Sequence, residues 1–323
     1  MIRIRLTLAA LSLVLLCARA EPVRSQALAR IGVITPAPAS AQLEAALREG
    51  LRQYGYSEGK NISFEWRRSS GTSDDLHTLA VSLTGAKVDV IVAVGTPEAR
   101  AALSATASIP VVFMSGDPLG AGLVQSLAKP GANATGISLF SPDLTAKRLE
   151  FLHQLAPRAK RIAHLGNPFN PVNALHLMQA RKVADALGLS LETFDARDKQ
   201  GLDIALEAIR RYKPDGLLVS PDLLLVAERA RVAEFVRRSR ILAVFPVREF
   251  HEHNVLISYG YNIAWATSRT AGYVHKILSG ATPSDLPVEQ LTQFELVVNT
   301  TVARSMGINV PESLLVRADE VIR

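Results

Sequence analysis

Cysteine is nearly absent: Cys17 is the single one in 323 residues. That excludes a disulfide-stapled scaffold and any cysteine zinc site. Blocks of consecutive lysine or arginine are missing too. The formal charge of +6 looks basic, but Arg3, Arg5 and Arg19 all fall in the first twenty residues. Without them the remaining basic residues barely exceed the 30 acidic ones, so no nucleic-acid partner is expected. No apolar run reaches the roughly twenty residues a membrane-spanning helix needs. The 20 glycines and 17 prolines are well spread, which argues against a low-complexity chain. What remains, 48% hydrophobic and 20% charged, is ordinary globular composition. At about 100–200 residues per domain, the length suggests two domains.

The first twenty residues read as an address. Arg3 and Arg5 precede a run from Leu6 to Ala18 broken only by Thr7 and Ser12. Ala18-Arg19-Ala20 then supplies a small-x-small cleavage site. This is the pattern of a secretory signal peptide over 1–20. An uncleaved anchor is the alternative, and a lipid on Cys17 is disfavoured by Leu16, which stands where a small residue is needed. Cleavage after Ala20 leaves a mature chain with no thiol and no membrane span, suited to an oxidising periplasm.

Downstream, one unit recurs: a short Val/Ile/Leu-rich run, a polar break with proline, then an amphipathic helix. The first set of apolar runs is Ile31–Thr35, Asn61–Trp66, Val88–Val94, Pro110–Met114 and Ala134–Leu139. The second is Arg161–Leu165, Ser190–Phe194, Gly216–Val219, Ile241–Phe245 and Val255–Ser258. Continuous apolar runs suit strands covered on both faces, hence parallel sheets. Between them, Leu43, Ala46, Leu47 and Leu51, and later Leu76, Leu79, Ala80 and Leu83, follow helical spacing. Two sets of five βα units predict an α/β chain of two doubly wound, Rossmann-like lobes, and ten strands count against a closed eight-stranded barrel. The join falls near Ser141–Asp143. A helix at Ile263–Leu278, the loop Ser279–Pro287 and a strand at Thr292–Val298 are expected to return across it.

Ligands of open α/β sheets bind beyond the carboxyl ends of the strands, where helix amino termini present free N–H groups. Here Thr35-Pro36, Thr96-Pro97, Asp117-Pro118, Asn167-Pro168 and Ser220-Pro221 each follow an apolar run. Each pair equally suits a helix cap followed by proline at the first helical position. In GTPEAR (Gly95 to Arg100), Gly95 admits a ligand close to the backbone and Thr96 offers a hydroxyl, a combination suited to a carboxylate. Asp117 and Asp222 are candidate partners for an ammonium group, and Asn167 and Asn170 of GNPFNP add amides. An anion seat beside a carboxylate is the minimum grip for a zwitterion. Trp66, Trp265, Phe169, Tyr259 and Tyr261 offer rings for stacking, although strand-end aromatics at least as often serve a core. His251 and His253 lack the company of a metal site beyond Glu249 and Glu252, so no metal is expected. Neither GxGxxG nor GxxxxGK[ST] occurs, so no nucleotide cofactor is expected. No GxSxG elbow or paired acid–base set occurs either, and the chain is not expected to be an enzyme.

Several long strings carry a family resemblance. They are LREGLRQYGYSEGKNISFEWR (Leu47 to Arg67), VDVIVAVGTPEARAA (Val88 to Ala102) and GDPLGAGLVQSLAKPGANATGIS (Gly116 to Ser138). AGYVHKILSGATPSDLPVEQLTQFELVVN (Ala271 to Asn299) and GINVPESLLVRADEVI (Gly307 to Ile322) complete the set. Together they resemble the ABC-transporter substrate-binding proteins of the tryptophan/tyrosine type. The resemblance implies a type I periplasmic-binding fold, with two lobes joined by three crossings and closing by hinge motion. It assigns 28–140 plus 260–290 to lobe 1 and 141–259 plus 291–323 to lobe 2. It further implies a periplasmic receptor that hands an amino acid, aromatic or branched, to an ABC permease and its ATPase. The ligand groups it implies are Thr35, Gly95, Thr96 and Asp117 from lobe 1, with Asn167, Asn170, Asp222, Tyr259 and Gly260 from lobe 2. The proline-rich TPAPAS loop (Thr35 to Ser40) and Ser115-Gly116 are departures that leave side-chain specificity open. A periplasmic sensor feeding a signalling partner is the alternative role.

Overall fold

The structure, a computed structural model, describes residues 28–36, 41–69, 73–139 and 142–323. The signal-like segment 1–20, residues 37–40 of the proline-rich loop and Ser141 at the expected join lie outside the described residues. Two sheets form. The first contains β1 (Ala29–Pro36), β2 (Ile62–Ser69), β3 (Val90–Val94), β4 (Val111–Ser115), β5 (Ala134–Ser138) and β11 (Glu289–Gln290). The second contains β6 (Arg161–Gly166), β7 (Ser190–Asp195), β8 (Gly216–Val219), β9 (Leu242–Phe245), β10 (Ile257–Tyr261), β12 (Phe294–Asn299) and β13 (Glu320–Ile322). The helices are α1 (Ala41–Arg52), α2 (Ser73–Gly85), α3 (Thr96–Ala105), α4 (Pro142–Leu155), α5 (Val172–Ala186) and α6 (Lys199–Tyr212). They continue with α7 (Leu223–Ala227), α8 (Arg229–Ser239), α9 (Ile263–Leu278), α10 (Thr300–Met306) and α11 (Glu312–Leu315).

The strand order is β2-β1-β3-β4-β5-β11 in the first sheet and β7-β6-β8-β9-β10-β12-β13 in the second. Each is a doubly wound order that reverses direction once, between β1 and β3 and between β6 and β8, as expected from the repeated βα units. Central strands are covered on both faces: every residue of β3 and β8 is buried. The edge strand β7 alternates exposed and half-buried positions instead. One pairing departs from the all-parallel expectation, because β12 runs antiparallel to β10. It enters the second sheet directly from the first, without the crossover helix that a parallel partner requires. The short strands β11 and β13 were not anticipated, being two and three residues long.

Local chemistry fixes where helices begin and end. Asp198 caps α6, its carboxylate accepting from the Gly201 N–H at 2.7 Å, and Lys213 ends the helix in the left-handed region. Asn262 caps α9 in the same way, accepting from Trp265 N at 2.8 Å. The buried face of α9, with Ala266, Thr267, Thr270 and Ala271, packs against β3, β4 and β5 of the first sheet and against α1. Gly50 of α1 permits that approach, since a Cβ there would lie 2.7 Å from Cβ of Ala271. The chain therefore passes between the sheets after β5, again between Tyr261 and Ile263, and finally between β11 and β12.

Gly136 sits in β5 opposite Phe113 with φ +150°, where a Cβ would come within 2.1 Å of the Phe113 carbonyl oxygen. Backbone cannot yield as a flexible side chain can. Gly136→Ala is expected to lower stability by more than about 3 kcal/mol, measured by urea unfolding, through strain and sheet disruption together.

Candidate functional site

Between the two sheets, beyond the carboxyl ends of their strands, lies a cleft enclosing about 70 Å³. Its walls come from the first loops after each switch point. Pro36 ends β1, Gly95 and Thr96 follow β3, Asn167 and Asn170 follow β6, and Pro221 and Asp222 follow β8. One ordered water needs roughly 10–15 Å³ by this kind of measure, so the enclosed space holds a compact polar group. Anything larger must extend toward the mouth, where Phe169 stands 58% exposed with the Arg197 guanidinium 5.5 Å over its ring.

The cleft is acidic at its centre. Asp222 is 4% exposed and caps α7; its carboxylate accepts from Asn170 Nδ2 at 2.8 Å, Asn167 Nδ2 at 3.3 Å and Leu224 N at 2.9 Å. Burial pushes its pKa up, and those three donors pull the other way. The two asparagines are themselves pinned, because Asn167 Oδ1 accepts from Phe169 N at 3.0 Å and Asn170 Oδ1 from Val172 N at 3.2 Å. GNPFNP is thus a frame that holds one carboxylate in place.

Facing it from the other sheet is Glu98, 3% exposed, in the first turn of α3. Its Oε1 accepts from Ser69 Oγ at 3.1 Å, and its own backbone N–H also donates to the carboxylate. Burial raises its pKa to about 8, and the Asp222 charge adds to the rise. The start of α3, where the sequence suggested a seat for a ligand carboxylate, holds the Glu98 carboxyl instead. Gly95 is required for that arrangement: it has φ +127°, and a Cβ there would lie 2.0 Å from Glu98 Oε2. Thr96 lines the cleft but is 2% exposed, and its Oγ1 is engaged with Ser115 Oγ at 2.8 Å and with Gly116 N at 3.2 Å. It ties the ends of β3 and β4 together.

Of the nine residues nominated from sequence, Gly95, Thr96, Asn167, Asn170 and Asp222 share this cleft. The other four stand elsewhere among the described residues. Thr35 is buried beside the cleft, lining a small separate void with Leu43, Leu223 and Ile263. Asp117 Oδ1 accepts from Gly120 N at 2.8 Å, closing its own turn. The Tyr259 ring packs edge-on against Phe151 at 5.2 Å, and its carbonyl accepts from Arg148 Nε at 2.8 Å. Gly260 presses its backbone on Pro246, where a Cβ would meet the carbonyl oxygen at 1.6 Å.

Sequence reasoning missed Glu98, His176 and Arg197 as cleft residues. Glu98 carried a readable signal, since it follows the glycine cap by three positions, where a carboxylate folds back on the helix start. His176 and Arg197 carried none. Beneath His176 the second sheet buries Arg148, 1% exposed, whose pKa burial lowers to about 10. Burial first, and the Arg148 charge second, hold His164 and His176 neutral, with pKa values near 4 and 3. His176 Nδ1 lies 3.0 Å from Thr145 Oγ1, and His164 Nε2 lies 3.0 Å from Ser220 Oγ. Among the described residues, no group of three or more His, Cys, Asp or Glu side chains is placed to hold a metal.

The family described as ABC transporter substrate binding protein matches residues 30–322. A tyrosine-binding protein of Clostridioides difficile is 26% identical over 267 residues, 80% of this chain and 75% of its own. A conserved domain protein from Vibrio cholerae is 30% identical, covers 91% of this chain and all of its own, and superposes with a TM-score of 0.83. An ABC domain from Streptococcus pneumoniae, solved in complex with L-Trp, is 26% identical, covers 92% of this chain and all of its own, and also gives 0.83. The architecture they share with this chain is the type I periplasmic-binding fold.

Glu98 predicts how stability follows pH. Its folded pKa stands above the ordinary carboxylate value, so the folded state holds a proton that the unfolded chain releases. The Glu98 contribution is fully present below about pH 4.5 and is lost as pH rises toward 8. Glu98→Gln is therefore expected to melt at least about 3 °C above the wild type at pH 8.5 and close to it at pH 5, by calorimetric scans.

Proposed function

Given that the chain belongs to the ABC transporter substrate-binding protein family, we propose that it is the exported solute receptor of an ABC importer. In this reading it captures a small amino acid between its lobes and presents the closed form to the permease and ATPase. The supporting observation is that carboxyls from opposite sheets, Glu98 and Asp222, line one cleft at the two switch points. A ligand that bridges them favours the closed state by the difference in its affinity for the two states, which is all that a population shift requires. The moving bodies are residues 28–140 plus 260–290 and residues 141–259 plus 291–323, turning about the three crossings. Gly95, Thr96, Asn167, Asn170 and Asp222 form the ligand's nearest surroundings. Thr35, Asp117, Tyr259 and Gly260 shape the walls from behind.

An aromatic or branched side chain fits this geometry, because the enclosed space takes the charged end and the rest passes outward beside Phe169. A tyrosine-binding relative and a relative solved with L-Trp agree with that preference. Export to the periplasm follows from the signal-like leader, and among the described residues no helix is long and apolar enough to cross a membrane.

A thermal-shift panel of the twenty amino acids tests the reading. At least one should raise the melting temperature in proportion to the logarithm of its concentration. Asp222→Asn should then weaken that ligand by about 10- to 100-fold in calorimetry, as expected for loss of a charged hydrogen bond. A panel with no shift, or a variant that binds as tightly as the wild type, removes the assignment.

A further inference from the structure

The cleft gathers two buried carboxyls, and no buried cation is among its lining residues. Glu98 and Asp222 are almost wholly buried and come from opposite sheets, and the Asp222 charge raises the cost of ionising Glu98. Ser69 from the end of β2 and Asp222 at the start of α7 act on Glu98, and the other titratable groups lining the same cleft are His176 from α5, Tyr261 from the end of β10 and Arg197 at the mouth. None is a buried cation. His176 is held neutral by its surroundings, and Arg197 is exposed and stacked on Phe169. The buried guanidinium of Arg148 lies behind the cleft wall, hydrogen-bonded to the Tyr259 carbonyl. Ser69 and the backbone of Glu98 supply hydrogen bonds to the carboxyl but no charge.

Resting on the receptor reading, we propose that Glu98 and Asp222 clasp one cationic nitrogen of the ligand between them, so that the ligand enters amine first and Glu98 gives up a proton to solvent as it binds. The empty pair carries one negative charge and one proton. The occupied pair carries two negative charges against the ammonium, with the ligand's N–H groups donating to a carboxylate from each lobe. Only a donor cation at this point compensates two buried carboxylates, and it links the lobes directly. The same arrangement sets the ligand's polarity in the cleft. With the Glu98 carboxyl at the start of α3, lobe 1 repels a ligand carboxylate, which is directed toward the mouth and Arg197. Glu98 is accordingly the specificity-determining residue of lobe 1: it selects an amine and rejects an acid that lacks one.

The test uses the full mature chain and three probes: the amino acid giving the largest thermal shift, its decarboxylated amine and its deaminated acid. Calorimetry at pH 7 in buffers of different ionisation enthalpy should show close to one proton released per amino acid bound. Affinity should tighten nearly tenfold per pH unit from 6 to 7 and level off above 8. The deaminated acid should bind at least about 100-fold more weakly than the amino acid, and the amine should lose less than the acid does. Glu98→Gln should release no proton, show a flat pH profile and bind the amino acid at least about tenfold more weakly. A wild-type affinity that stays flat from pH 6 to 8 with no proton exchanged overturns the inference while leaving the receptor role intact. That measurement needs no variant, so a folding defect in Glu98→Gln does not obscure it. An acid probe that binds as well as the amino acid also overturns it. A panel in which no amino acid binds removes the receptor reading and this inference together.

Discussion

Two buried carboxyls from opposite sheets, lining one small cleft, are the constraint around which this molecule is arranged. Asp222 is tolerable only because Asn167, Asn170 and the Leu224 N–H converge on it. Glu98 is tolerable because it is held protonated at neutral pH and rests on Ser69 and its own helix start. Burial of a single carboxylate ordinarily costs several kcal/mol unless it is paired, so these donors and that proton are what make the arrangement possible. The fold brings them together by a simple rule. Parallel βα connections turn every first loop to one edge of each sheet, and the three crossings set those edges against each other.

Much of this architecture could be read from residue order alone. Runs such as Val90–Val94 and Gly216–Val219 are apolar throughout because both faces are covered, and that pattern separates a buried parallel strand from a half-exposed one. The reversed entry of β12 was not legible, because strand direction depends on where the preceding segment starts in space. Strands of two or three residues, such as β11 and β13, leave no periodicity to detect.

The site was legible in part for a related reason. A polar residue before proline at a strand end marks a helix start, and Asn167 and the Asp222 that follows Ser220-Pro221 were found that way, as were Gly95 and Thr96. The pattern reports a cap and does not say what the cap holds. Asp117 carries the same signature yet bonds its own turn, and Thr96 spends its hydroxyl on Ser115 and Gly116. Gly260 lies one residue short of Tyr261, which lines the cleft, and Tyr259 lies two short, its ring packed on Phe151 instead. In a strand, neighbours point to opposite faces, so such a small offset changes the surroundings entirely. Glu98 was passed over because a first-turn glutamate is usually solvated. Here it is 3% exposed, folded back on its own helix start and bonded to Ser69, a contact 29 residues away that no local string reveals.

The lacing of the chain between sheets bears on how the protein can be made. The first sheet is unfinished until Ile263–Leu278 covers β3, β4 and β5 and Glu289–Gln290 closes its edge. By then β6 through β10 of the second sheet have already been synthesised. The second sheet in turn waits for β12 and β13, which come after the last strand of the first. Neither sheet is therefore drawn from one contiguous stretch of gene, and on the ribosome the first core cannot seal until most strands of the second have already emerged.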